Sequence, residues 1–419
     1  GGAEAAAALS LAGGFEWVLP DRTVVAAGEP NDPLYGPYQW NLRIVEAPAA
    51  WDLTRGSNQV VVAIVDTGVS LTHPDLAAKI WINEDEIAGN GLDDDGNGYV
   101  DDRWGWNFHS DGPNPDDDHW HGTHVAGIAG AATDNGVGVA GMAPQAPLMA
   151  VKFLDHSGRG KFLPMLLGMR YAADNGARII NLSVSVEGSL EPEERRLLDE
   201  TMEHVTARGA LVVAASGNQG RGVGYPAAHP DILAVGATTS ADERWAWSNY
   251  GDDLDLAAPG AGVYSTSRSA FGPGYQMASG TSMAAPHAAG AAALVWSLAP
   301  ARTPAEVAQL LRATCDDVNA GSHPGRDPYL GWGRLNVGRA VAAALLGDLR
   351  LESSRPALRV LGEPAIITAT LRTASGDPAP DGALVIFEAD RGTIEPASAA
   401  TRGGAATALY RAGLVPGQA

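Results

Sequence analysis

The chain has 419 residues, enough for two or three domains. Twenty-eight Lys and Arg against 49 Asp and Glu leave a net charge of -21. That charge repels nucleic acid and anionic membranes, argues against a nucleic-acid partner, and suits a protein that binds cations. A single cysteine, Cys315, excludes an intrachain disulfide, and no apolar run approaches the roughly 20 residues of a membrane-crossing helix; Ala288 to Leu298 is too short.

In chain order, Ala3 to Leu11 reads as a helix that Gly13-Gly14 ends, followed by the strand-like Phe15-Glu16-Trp17-Val18-Leu19-Pro20-Asp21. From about residue 28 the pattern changes. Val60 to Val65 is too apolar for a half-exposed strand and reads as a buried parallel one. Leu148 to Leu154, Ala177 to Val184, Ala210 to Ala215 and Ile232 to Ala237 repeat that type. Helical stretches His121 to Ala132, Leu163 to Asn175 and Pro192 to Arg208 lie between them. Strand-helix alternation predicts an α/β fold with a parallel sheet covered on both faces, its site at the carboxyl ends of strands. Val307 to Cys315 reads as an amphipathic helix and its end, with Cys315 a buried small hydrophobe. After about Gly347 helices stop. Alternating segments Ala365 to Leu371 and Ala383 to Glu388, separated by turns such as Ser375-Gly376-Asp377-Pro378, predict a small all-β sandwich. The chain starts without Met and stops in a strand pattern at Val415 to Ala419, so it reads as a fragment cut at both ends.

Three words carry chemistry. They are Val65-Asp66-Thr67-Gly68, His121-Gly122-Thr123-His124-Val125-Ala126-Gly127 and Gly280-Thr281-Ser282-Met283-Ala284-Ala285-Pro286-His287. A serine hydroxyl is a poor nucleophile until a base lies within hydrogen-bond reach and a third group orients that base. Asp66, His121 and Ser282 supply carboxylate, imidazole and hydroxyl. A serine at a helix N-terminus also meets unpaired backbone N–H groups, which makes the Ser282 N–H a candidate oxyanion donor. Asn218, the last residue of Ala214-Ala215-Ser216-Gly217-Asn218, follows a predicted strand, as Asp66 does.

The words and their Asp, His, Ser order resemble the subtilisin-like serine proteases, over roughly residues 28 to 348. The resemblance implies a subtilisin-like fold and a serine endopeptidase with Asp66, His121 and Ser282 as its triad and Asn218 as the oxyanion amide. It implies structural roles for His119, His124 and His287. It places an extended protein or peptide substrate between Ser157-Gly158-Arg159-Gly160 and Leu182-Ser183-Val184-Ser185. Ala215, Ser216 and Gly217 then form another wall of the primary pocket, and Gly224 leaves its floor open. Ser185, where the family usually has glycine, narrows that pocket; apolar or aromatic residues are expected before the scissile bond. Arg159 and Lys161 favour acidic residues a few positions upstream.

Asp93-Asp94-Asp95-Gly96-Asn97-Gly98-Tyr99 places oxygens at alternate positions with glycine at the turn, like the first half of an EF-hand loop. Asp93, Asp95, Asn97, the Tyr99 carbonyl and Asp102 are expected to surround one Ca2+. The family resemblance implies a second structural Ca2+ held by Asp32, Asp75, Thr133, Asn135, Val137 and Val139.

By the same resemblance, residues 1–27 are the C-terminal part of an inhibitory propeptide, cut between Val24 and Pro30. Residues 28–348 form the peptidase domain. Residues 349–419 form an incomplete domain that resembles invasin-type Ig-like modules, on Asp381 to Phe387 and Gly404 to Ala408. The expected protein is a secreted, monomeric zymogen. One alternative is a catalytically silent adhesin led by the tail. Another is an acid-acting sedolisin, against which His121 and Asn218 argue, since that family carries Glu and Asp there.

Overall fold

The computed structural model describes residues 29–269, 271–354, 364–373, 377–378, 384–386, 393–396 and 398–411. The chain divides into two units, Gly1–Pro30 and Asn31–Ala419. Only Glu29 and Pro30 of the first are described, so the expected propeptide tail lies outside the described residues.

The second unit begins with three short helices, α1 (Tyr35–Tyr38), α2 (Trp40–Ile44) and α3 (Ala47–Trp51). Strands β1 (Val61–Asp66) and β2 (Gly105–Asn107) follow, then α4 (His121–Gly130), β3 (Leu148–Lys152), α5 (Phe162–Asp174) and β4 (Ala177–Leu182). Next come α6 (Pro192–Ala207), β5 (Leu211–Ala215), β6 (Ile232–Thr238), β7 (Leu256–Pro259) and the hairpin β8 (Val263–Ser269) with β9 (Gly272–Ala278). Helices α7 (Thr281–Leu298), α8 (Pro304–Ala313) and α9 (Val337–Ala344) complete this part.

Seven strands form one sheet in the order β2-β3-β1-β4-β5-β6-β7, and every pairing in it is parallel. After β1 the chain lays β2 and β3 on one side, then β4 and all later strands on the other. The carboxyl end of β1, which is Asp66, therefore lies at a topological switch point, where such sheets leave a crevice.

The apolar runs alternate between two cores, as a doubly covered sheet requires. Val62 and Ile64 of β1 face the core built with α4 and α7, while Val61, Ala63 and Val65 face that built with α5 and α6. Helix α7 is buried along Thr281 to Trp296, so its alanines are a packing solution: small side chains let it lie close on β4, β5 and β6. Helix α8 opens with a capping box in which Thr303 and Glu306 satisfy each other's backbone N–H. Cys315 follows it, buried, its thiol pushed up to about 12 chiefly by burial.

The tail is all-β where described. Strands β10 (Leu346–Ser353), β11 (Ala365–Thr373), β15 (Ala405–Arg411) and β13 (Thr393–Glu395) form an antiparallel sheet in that order. Strands β12 (Leu384–Ile386) and β14 (Ser398–Ala400) pair separately. Among its described residues, Ala369, Leu371, Ala406 and Ala408 form a buried cluster. Most of the Asp381 to Phe387 phrase lies outside the described residues.

Candidate active site

Asp66 ends β1 and is fully buried. Its Oδ1 lies 2.8 Å from His121 Nδ1 and accepts the Thr67 N–H at 2.7 Å. His121 is the first residue of α4. Burial would push its imidazole down, but the charge and hydrogen bond of Asp66, with Asp117 behind, outweigh burial and hold it above the ordinary histidine value. The glycines of both words are needed here. A methyl on Gly122 would lie 2.1 Å from the Gly68 carbonyl oxygen and 3.1 Å from Asp66 Cβ. Gly68 adopts φ +102°, with no space for a side chain beside Pro115.

Ser282 lies in the first turn of α7. Its hydroxyl donates to the Ser183 carbonyl at 3.0 Å, and Ser183 Oγ donates back to the Ser282 carbonyl at 2.8 Å. Pro286 accounts for the second bond: four residues on, it has no N–H to offer the Ser282 carbonyl, which is left free for Ser183. Asn218 follows β5. Its Oδ1 accepts both the Thr281 N–H (2.8 Å) and the Thr281 hydroxyl (2.9 Å), so Nδ2 is the end left to donate elsewhere.

A cavity of about 540 Å3 opens beside His121. One wall is Ser157 to Lys161 and the other Ser183 to Glu187, the two segments expected to flank a peptide. Arg159 and Glu187 pair at 3.3 Å between those walls. His119, expected to be structural, lines the same cavity. Ala215, Ser216, Gly217 and Gly224 are not among the residues that line this cavity; Gly224 lies against Ser185 and the Ser216 carbonyl. The Gly217 N–H donates to Thr281 Oγ1 at 3.1 Å, and the Gly224 N–H to the Ser216 carbonyl at 2.9 Å.

His124 and His287 are buried and neutral in character. Burial pushes His124 down to about 3 and His287 to about 4. His287 Nε2 sits 2.8 Å from Asn41 Nδ2 and its Nδ1 2.8 Å from the Met283 carbonyl, the partners of one neutral tautomer.

Sequence reading missed several supports. Asp117, four residues before His121, is fully buried, and burial raises its carboxyl above the ordinary range. It accepts from Thr67 Oγ1 (2.9 Å), the His119 N–H (2.9 Å), the Thr123 N–H (3.1 Å) and Thr123 Oγ1 (2.5 Å). Lys152, which pairs in register with Asp66, is buried and donates to the Thr67 and Leu154 carbonyls, both at 2.7 Å, and to Asp118 at 2.6 Å. A buried Asp and a buried Lys carry no mark of burial in sequence; only their places before His121 and at a strand end hinted at it.

The acidic loop folds around Glu86, which sequence reading also missed. Oxygens of Glu86, Asp95 and Asp102 lie within 4.8 Å of one another. Asp93 accepts the N–H groups of Asn97 and Gly98, Asn97 Nδ2 donates to Asp95 and Asp102, and the Tyr99 ring packs on Trp106, Phe108 and Tyr171. Burial raises the Asp102 carboxyl. Three converging carboxylates with hard oxygen donors fit a Ca2+. In the second cluster, Asp75 accepts Asn135 Nδ2 and the Val139 N–H, both at 2.9 Å, and Asp32 Oδ2 accepts the Asp134 N–H. Asn135 Oδ1 accepts the Val137 N–H, and Thr133 Oγ1 accepts that of Gly141. Asp32 Oδ1 is buried with no hydrogen-bond partner among the described residues, and burial raises this carboxyl. Such an orphaned anionic oxygen fits a bound cation.

The family model described as "Subtilase family" matches residues 57–333, which is more than half of the chain and spans all three words. The chain belongs to the subtilase family. Among curated subtilases, thermitase of Thermoactinomyces vulgaris is 37% identical over 313 residues, 74% of this chain and 99% of thermitase. Subtilisin Savinase of Lederbergia lenta is 38% identical over 282 residues, covering 67% and 92%. The cell wall-associated protease of Bacillus subtilis is 34% identical over 85% of this chain but 40% of its own length. Among solved structures, a protease of Pseudoalteromonas arctica superposes with a TM-score of 0.60 at 32% identity, covering 76% of this chain and all of that one. As a subtilase, the protein is a serine-type endopeptidase.

Proposed function

We propose that this subtilase cleaves peptide bonds with Ser282 as nucleophile, His121 as base and Asp66 as the group that orients it. The observation that carries the reading is the 2.8 Å contact of Asp66 with His121 Nδ1. It leaves Nε2 to take a proton. Ser282 Oγ turns from Ser183 and attacks the carbonyl carbon while its proton passes to His121. The oxygen that becomes negative is met by Asn218 Nδ2 and the Ser282 N–H. The tetrahedral intermediate expels the amine, which takes the proton from His121, and an acyl-enzyme remains. Water then attacks the ester carbonyl carbon as His121 takes its proton; the second tetrahedral intermediate collapses, the bond to Ser282 Oγ breaks, that oxygen takes the proton back from His121, and the acid is released. The substrate chain lies extended between the Ser157 and Ser183 segments.

Ca2+ has a structural part in this reading, charge compensation of two carboxylate clusters. Glu86, Asp93, Asp95, Asn97, Asp102 and the Tyr99 carbonyl would hold one ion. Asp32, Asp75, Thr133, Asn135, Val137 and Val139 would hold the other. Residues 1–27 act as an inhibitory propeptide tail, 28–348 as the peptidase and 349–419 as an incomplete Ig-like domain. The site of action is extracellular, which a relative named as cell wall-associated supports; among the described residues no helix is long and apolar enough to cross a membrane.

The test is a serine-directed fluorophosphonate on the full chain. Labelling that Ser282→Ala abolishes, together with peptide cleavage, is the expected result. Equal labelling of the variant would sink the assignment.

A further inference from the structure

We propose that Asn249 is a positioning residue for the reaction: its side-chain amide clamps the turn that carries Asn218, so that Asn218 Nδ2 is held in place before charge develops on the substrate oxygen. This rests on the reading of Ser282 as nucleophile and Asn218 as oxyanion donor.

The turn after β5 needs such a clamp. Asn218 and Gln219 are exposed, so the core does not hold them. A donor aimed at a developing charge stabilises it fully only when no reorganisation is left to do. Thr281 holds the Asn218 side chain at Oδ1 and, through its hydroxyl, the Gly217 N–H. The far side of the turn, Gln219 to Arg221, is held from another direction.

That direction is Asn249, which lies between β6 and β7 and is 1% exposed. Its Oδ1 accepts the Gln219 N–H at 2.9 Å and the Arg221 N–H at 3.2 Å. Its Nδ2 donates to the Ser216 carbonyl and to Gln219 Oε1, both at 3.1 Å. Both donors and both acceptor positions of the amide are thereby used, on partners that flank Asn218 from both sides. A carboxylate in this place has no donors, and a serine has one. The backbone adds to the grip, since the Asn249 N–H donates to the Gly217 carbonyl at 2.9 Å. Gly217 itself is shaped to the clamp: its φ is +109°, and a Cβ there would lie 2.3 Å from Asn249 Nδ2.

The clamp is fastened to the sheet. Ser248 Oγ accepts the Ala237 N–H of β6 at 3.0 Å. Two main-chain bonds tie the same segments further out, from the Gly220 N–H to the Trp247 carbonyl at 2.8 Å and from the Tyr250 N–H to the Arg221 carbonyl at 2.9 Å. Loss of the Asn249 amide therefore frees the centre of the turn while its ends stay moored.

The experiment is a double-mutant cycle on the full chain. Wild type, Asn249→Ala, Asn218→Ala and the double variant are assayed on one chromogenic peptide, with fluorophosphonate labelling taken to completion as the count of competent sites. Asn249→Ala should lower kcat by roughly 10- to 100-fold, the scale of a small misplacement, with a smaller change in KM; that falls short of the roughly 10²–10³-fold of Asn218→Ala. Added to Asn218→Ala, it should cost no more than about 2-fold further, because the donor it positions is gone. Asn249→Ser, which keeps one donor, takes its place in the cycle where Asn249→Ala does not fold. Losses that multiply in the double variant, or an Asn249→Ala kcat within about 2-fold of wild type, overturn the proposal, and a slow Asn218→Ala then leaves the oxyanion reading standing. An Asn218→Ala enzyme as fast as wild type overturns the oxyanion reading and this one with it. A wild type that neither labels nor cleaves overturns the nucleophile as well.

Discussion

Thr281 grips Asn218 twice, through its backbone N–H at 2.8 Å and its hydroxyl at 2.9 Å, both donated to Oδ1. The residue before the proposed nucleophile thereby sets the direction of the amide proposed for the oxyanion. Thr281→Val keeps the backbone bond and the shape but loses the hydroxyl. The lost bond to Asn218, about 0.5–1.5 kcal/mol net, translates into a fall in kcat of roughly 2- to 10-fold, and the Gly217 N–H, which the same hydroxyl accepts at 3.1 Å, loses its partner, so KM rises as well. Asn218→Ala should cost about 10²–10³-fold in kcat, the size measured for the equivalent donor in a subtilisin. Steady-state kinetics on both variants check the order; a Thr281→Val enzyme as slow as Asn218→Ala would mean that Thr281 acts in some other way.

Asp117 should set part of the pH profile. Its charge helps to raise the His121 imidazole above the ordinary value. Catalysis needs neutral His121, so activity falls as pH drops through that raised value. In Asp117→Asn the negative charge is gone, His121 protonates less readily, and the acid limb of kcat/KM moves to lower pH. The variant should also be less stable by about 1–3 kcal/mol, because an amide cannot accept all four of Asp117's bonds. An acid limb that stays in place, or moves up, contradicts the electrostatic role.

His287 gives the fold an acid sensitivity of its own. Its folded value is about 4, from burial, against about 6.5 in an unfolded chain. Between those values the unfolded chain binds a proton that the folded one refuses, so stability rises with pH across that window and is lost as pH falls. The contribution is on the order of 3 kcal/mol, fully present above about pH 6.5. Denaturant melts of Ser282→Ala, which cannot digest itself, should show stability dropping from pH 6.5 toward 4. In His287→Gln that slope should become shallower, with the remainder set in part by His124, which burial also holds low.

Calcium removal should act on stability and leave the chemistry to the triad. Chelation is expected to lower the melting temperature of Ser282→Ala by several degrees, and added Ca2+ to restore it, by mass action on the folded state. Glu86→Gln should shift the Ca2+ concentration needed for half the effect upward. Asp32→Asn should do the same at the other cluster. A melting curve indifferent to chelator in the parent chain removes both ions from the account.

Asp66, His121, Ser282 and Asn218 stand out in the sequence as candidates because each sits in a short local word whose glycines and small residues have local reasons. Val60 to Val65 and its repeats were legible because a strand buried on both faces is apolar at every position. What could not be read was anything made by residues far apart in the chain. Glu86 joins Asp95 and Asp102, Lys152 reaches Thr67, and Asp117 braces Thr67 and Thr123, none of which a charged letter discloses until burial is known. The hairpin β8–β9 escaped notice because Val263 to Ala278 lacks the alternation of a half-buried strand pair. Sequence alone determined the family, the order of the catalytic words and the parallel sheet, since these follow from local spacing and period. Tertiary structure alone decided that the Asn249 amide stands against Ser216 and Gln219, since a turn and a side chain 30 positions further on meet only once β5 and β6 have paired.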